Sequence, residues 1–152
     1  MAKITQKQEF IARRRVARKL SLMAMYHWHL NEDDFYSILT YYQTDKDMAS
    51  DLRKADTEYF QALTEFAMTH ADELNAQIEP YLDRPLVQVG PIEHAVLQLA
   101  TTELKNHADV GYKTVVNEWV NLGKKFGPEQ SYKFINGVLD KLALEIRKDE
   151  VK

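Results

Sequence analysis

Apolar residues recur along the chain at intervals of three and four, the spacing that gathers them on one side of a helix. A first helix is predicted over about Phe10 to His29, because no proline or glycine interrupts it and Asn31 supplies a stop. In NEDDFYSILTYY, Asn31 is expected to cap the next helix, Glu32 to Asp34 complement its positive end, and Phe35, Ile38, Leu39 and Tyr42 form its apolar stripe. The polar run QTDKDMASD reads as a loop. Asp56 then caps a helix with Tyr59, Leu63, Phe66 and Ala67 on one side. Thr69 with Asp72 marks a second start, so residues 56–79 read as two helices with a bend, closed by Pro80.

Gly90 and Pro91 open the next helix, with proline where the first turn needs no N–H donor. Its apolar positions, from Ile92 to Leu104, cover well over half the circumference, which predicts a central helix. Val115, Trp119, Leu122 and Phe126 follow as a stripe ended by Gly127 and Pro128. The last helix carries Phe134, Ile135, Val138, Leu139, Leu142 and Ile146, and Arg147 and Lys148 complement its negative end. No alternating strand pattern of useful length competes. The fold class expected is all-α, with six or seven helices.

A chain of 152 residues is long enough for one packed core, and its 45% apolar content is that of a globular protein. The absence of cysteine excludes disulfides and thiolate chemistry. No apolar run reaches the roughly 18 residues of a spanning helix, and MAKITQKQEF lacks the apolar stretch of a secretion signal, so a cytoplasmic protein is expected.

Charge changes the picture more. Residues 1–19 hold seven Lys and Arg against one Glu, while the remainder holds thirteen basic and twenty-two acidic side chains. Arg13, Arg14, Arg15, Arg18 and Lys19 crowd into the first turns of the first helix. At about 100° per residue, Arg14, Arg18 and Arg15 share an arc of about 100°, with Lys19 about 40° beyond it. Like-charged neighbours and an unfavourable helix field cost the isolated fold about 1–2 kcal/mol. An anionic partner reverses that sign; a solvated basic arm is the alternative.

The same helix carries Tyr26 and Trp28, and KKFGPEQSYKF interleaves Lys124, Lys125 and Lys133 with Phe126, Tyr132 and Phe134. Cations among aromatics suit single-stranded nucleic acid, where phosphates meet the cations and unstacked bases lie on the rings. Phe126 and Phe134 also sit on apolar stripes, so a core role stays open for both. Glu93 interrupts an apolar arc and needs a cation or an N–H donor. Glu103 does the same and is expected to cap the following helix. The five histidines lack metal-ligand spacing, and no phosphate loop, serine elbow or HExxH pattern is present. Neither an enzyme nor a metal or cofactor is indicated.

Three stretches together resemble one family. RRRVARKLSLMAMYHW is similar to the arginine-rich opening of the NusB transcription antitermination factors, VGPIEHAVLQLATTEL to their central helix, and YKTVVNEWVNLGKKFGPEQSYKFINGVLDKL to their C-terminal signature. The resemblance implies a single domain over residues 1–152 made of two three-helix bundles packed against each other, an N-terminal one at about 10–80 and a C-terminal one at about 90–148. It implies binding of boxA RNA in nascent ribosomal RNA leaders, pairing with NusE (a small-subunit ribosomal protein), and action on RNA polymerase with other Nus factors against premature termination. Neither catalysis nor a cofactor is implied. Carried over by position, Arg14, Arg15 and Arg18 match the RNA-contacting arginine motif, Tyr26 the aromatic on that helix, and Phe126, Lys133 and Phe134 the C-terminal part of the surface. Glu93 matches an acidic position on the partner-binding side, with an intramolecular ion pair as the other reading.

Three positions depart from the family pattern. Val16 stands where many members continue the arginine run, Gly111 replaces a proline before Tyr112, and Gln130 occupies a position often acidic. Two other functions stay open: a helical scaffold for an acidic protein, and the recruitment module of a ribosomal RNA methyltransferase, for which a chain ending at Lys152 leaves no catalytic domain. A homodimer of the free protein, hiding its basic helix, is a further open state.

Overall fold

The computed structural model describes residues 4–151. Among them lie nine α-helices: α1 (Gln6–Asn31), α2 (Phe35–Thr44), α3 (Lys46–Lys54), α4 (Thr57–Thr69), α5 (Ala71–Ile78), α6 (Pro91–Asn106), α7 (Tyr112–Phe126), α8 (Ser131–Ile146) and α9 (Lys148–Val151). Short 3-10 turns occupy Glu79–Tyr81 and Leu86–Gln88. The fold is all-α as expected, with α3 and α9 in addition. No helix among the described residues is long and apolar enough to cross a membrane. The chain divides into two compact units, Met1–Glu65 and Phe66–Lys152.

In the first unit, α1 opens with a reciprocal capping box between Thr5 and Gln8 and closes at Glu32, whose left-handed backbone directs its N–H to the Trp28 carbonyl at 2.8 Å. Asn31 therefore ends α1 but does not cap α2. That cap is Asp34, which accepts from Ser37 N at 2.8 Å, and the bond holds its carboxyl below the ordinary aspartate range. Most of the segment expected to be a loop, from Lys46 to Asp51, belongs to α3. Asp45 accepts from Met48 N at 3.1 Å, and Arg53 and Lys54 complement the far end. Its weak apolar stripe is half-buried throughout, so α3 depends on its caps and on packing against α1 and α2.

Phe60, Ile38, Leu20, Met25 and Leu63 are buried in this unit. Phe60 stacks on Tyr42 with ring centroids 5.9 Å apart, and burial raises the Tyr42 phenol above its ordinary value. Thr64 donates to the Phe60 carbonyl at 2.7 Å and lies 2.9 Å from Ser21 Oγ, tying α4 to α1 through satisfied hydroxyls.

The second unit is organised by α6, which is buried along most of its length and packs with α5, α7 and α8. The Gly90–Pro91 start and the Gly127 end fall where expected. Thr69 instead turns back to its own helix, and α5 begins at His70 without a side-chain cap. Gly123 lets α7 approach α8, since a Cβ there would overlap Ile135 Cδ1. Glu103 does not cap α7. Fully buried, it accepts from Trp119 Nε1 at 2.8 Å, whereas the α7 start is met by Glu150, which accepts from Tyr112 N at 3.2 Å. Arg147 likewise serves another element than its own helix, donating to the carbonyls of Leu104, His107 and Val110.

Candidate nucleic-acid interface

The basic run lies in α1 as one uninterrupted helical segment, but the packing of α3 and α4 divides it. Arg13 is exposed and donates from Nη2 to the Ala55 carbonyl at 3.0 Å, while its own carbonyl accepts from Asp56 N at 3.0 Å. This clasp fixes the α3–α4 joint to α1. The Arg14 guanidinium sits between two rings, 4.5 Å from the Phe10 centroid and 4.0 Å from that of Tyr59, with Nε 3.6 Å from Asp56 and 17% of the side chain exposed. Asp56 is also the expected cap of α4, accepting from Tyr59 N at 3.1 Å. Arg18 is only 4% exposed, its guanidinium 5.8 Å from the Tyr59 ring. Lys19 lies 3.6 Å from Asp51 on α3.

Arg15 is exposed. Eleven residues further along, Tyr26 falls within about 20° of it around the helix and about 16 Å down the axis, with 36% of its surface exposed. Arg15 and Tyr26 thus present a cation and a ring on the same outward face, whereas Arg14 and Arg18 sit lower, held by an aromatic from α4.

The predicted residues of the second unit cluster around the α7–α8 joint. Phe126 is 40% exposed and Phe134 half-buried, so neither belongs to the core. Lys125 approaches the Phe126 ring at 5.4 Å, Lys124 the Tyr132 ring at 5.3 Å, and Lys133 is exposed. Arg84 was not anticipated. Its guanidinium lies 4.2 Å from the Phe134 centroid and donates to Asp83 at 2.8 Å, which lowers the Asp83 carboxyl and raises the guanidinium. Glu93, 9% exposed in the first turn of α6, contributes to that raising of Arg84. Its Oε1 would lie 3.0 Å from a Cβ on Gly90, so the missing side chain lets the carboxylate fold over the positive end of α6. Gln130 stands in the left-handed region ahead of α8 and makes no side-chain cap.

Among the described residues no group of three or more His, Cys, Asp or Glu side chains is placed to hold a metal. The arrangement offers two surfaces of cations beside rings, suited to phosphates and flat bases.

Comparison with known proteins gives the family. The model of the NusB family matches residues 15–144. The chain belongs to the NusB family. Curated NusB relatives include the transcription antitermination protein NusB of Idiomarina loihiensis, 43% identical over 86% of this chain and 91% of that protein. The protein of the same name from Teredinibacter turnerae is 44% identical over 90% of each chain. Among solved structures, NusB of T. maritima is similar with a TM-score of 0.67 and 27% identity, covering 86% of this chain and 90% of that one. The NusB fold is also met in antitermination factors NusB and NusE in complex with double-stranded RNA, with a TM-score of 0.70, 24% identity and coverage of 86% and 96%. The segment matched by the family model includes Arg15, Arg18, Tyr26, Glu93, Phe126, Lys133 and Phe134; Arg14 immediately precedes it.

Proposed function

We propose that the protein is a non-enzymatic, cytoplasmic transcription antitermination factor. It binds boxA-type single-stranded RNA of nascent ribosomal RNA leaders together with NusE, and joins RNA polymerase with other Nus factors to suppress premature termination. Membership of the NusB family supports the antitermination role. The RNA reading is carried by the outward face of α1, where Arg15 and Tyr26 lie in line. Guanidinium groups hold phosphates through paired N–H donors, and a tyrosine ring accepts an unstacked base without demanding its identity. Arg14 and Arg18 act from below, stiffening the helix through Tyr59 and adding to the local positive potential. In the second unit, Phe126, Lys133 and Phe134 supply further ring and phosphate contacts, and Glu93 serves the side offered to NusE.

A titration of boxA-type, scrambled and duplex RNA, with and without NusE, tests this reading. The expected outcome is preference for single-stranded boxA on the order of tenfold or more, increased by NusE. Equal binding of all three RNAs in the presence of NusE contradicts it. A ribonuclease-resistant complex with an acidic protein other than NusE that is lost in R15Q assigns the basic helix to that protein instead.

A further inference from the structure

The packing of α3 on α1 creates a groove of about 870 Å³ that none of the predicted site residues except Arg15 accounts for. It is lined by Ile4, Ile11, Ala12, Arg13 and Arg15 and by Arg53 and Lys54 from the last turn of α3. Arg53 and Lys54 are exposed. We infer that this groove holds an RNA strand, with Arg53 and Lys54 as phosphate-binding residues facing Arg13 and Arg15. The inference rests on the RNA reading above and extends it to a second helix.

Charge and shape argue together. Four cationic residues line one hollow, and only Glu9 among its lining residues opposes them. The hollow on the other side of Arg13 is lined by Glu9, Asp56 and Glu58, so a polyanion is repelled there and directed toward α3. A lining that mixes cations with exposed apolar side chains matches a strand that offers both phosphates and the apolar faces of its sugars and bases. An acidic peptide would match the cations but gains less from Ile4 and Ile11, because carboxylate side chains carry no flat apolar face to lay on them.

The position of the two residues is set by bonds already described. The Arg13–Ala55 hydrogen bond holds the end of α3 against α1, and Lys19 with Asp51 holds the preceding turn. Arg53 and Lys54 are therefore presented on a fixed helix end, which lowers the entropy lost when they meet a phosphate.

The test compares wild type, R53Q/K54Q, the charge-retaining R53K/K54R and R15Q by fluorescence anisotropy with a boxA-type oligoribonucleotide over a range of salt. R53Q/K54Q is expected to weaken binding on the order of tenfold at low salt and to flatten the log–log salt slope by about 1.4, at roughly 0.7 per phosphate contact. R53K/K54R should retain the wild-type slope, and all variants should melt at the wild-type temperature. If R15Q flattens the slope while R53Q/K54Q matches wild type, the groove assignment is overturned and the RNA reading stands. If neither variant changes the slope, both fail. If R53Q/K54Q leaves RNA binding intact but loses binding to polyglutamate, the groove belongs to an acidic protein and the inference is overturned.

Discussion

Truncating Trp119 to alanine is expected to lower the unfolding free energy by about 3–5 kcal/mol. The indole is fully buried on α7 and donates to the carboxylate of Glu103, itself fully buried on α6. Two losses combine. The apolar contacts of the ring go, leaving a cavity the surrounding helices fill only in part. The carboxylate also loses a hydrogen-bond donor in a site where water does not replace it. Against a stability of about 5–15 kcal/mol for a typical domain, this leaves little margin. Trp119→Phe separates the two contributions, since it keeps most of the volume and removes the donor; a cost of about 1–3 kcal/mol is expected. Denaturant titration of W119F, E103Q and the double variant measures the coupling. A W119F protein as stable as wild type contradicts the role given to the indole N–H.

Arg147→Met is expected to cost about 3 kcal/mol or more, because bonds from a charged donor contribute roughly 1.5–3 kcal/mol each and several are lost together. The buried guanidinium donates to Leu104 O at 2.7 Å, Val110 O at 2.9 Å and His107 O at 3.0 Å, and pairs with Glu150 at 2.6 Å. These carbonyls lie at the end of α6 and in the segment leading to α7, which has no helical partners for them. Arg147→Lys should recover only part of the loss, since a point charge cannot reach three divergent carbonyls at once. A pH signature follows from Glu150. The Arg147 bond and the Tyr112 N–H hold its carboxyl below the ordinary glutamate range. Its contribution is therefore complete above the unfolded-state value and is lost as pH falls through the lowered folded one. E150Q should remove that part of the acid dependence, as thermal melts at successive pH values would record. An unchanged acid limb in E150Q contradicts it.

The sequence made the helical stripes legible where burial is deep and periodic, as along α6 and at Trp119. It hid α3, whose Met48 and Leu52 are too few and too shallow to register as a stripe, and with α3 it hid Arg53 and Lys54. The arginine cluster could be read as a cluster. Its division could not, because Tyr59 and Asp56 reach Arg14 from another helix, and that approach decides which guanidinium is exposed. Glu103 stood out as a polar break in an apolar face, but its partner lies sixteen residues away on the next helix, beyond any local rule. Arg84 meets Phe134 across a still longer separation, and DRP by itself signals only a turn.

The proposed neutralisation of RNA phosphates by cations on the outward face of α1 is decided by the salt dependence of boxA-type RNA binding in wild type and R15Q. A log–log slope flatter by about 0.7 in the variant, at unchanged melting temperature, is predicted; superimposable slopes would contradict it.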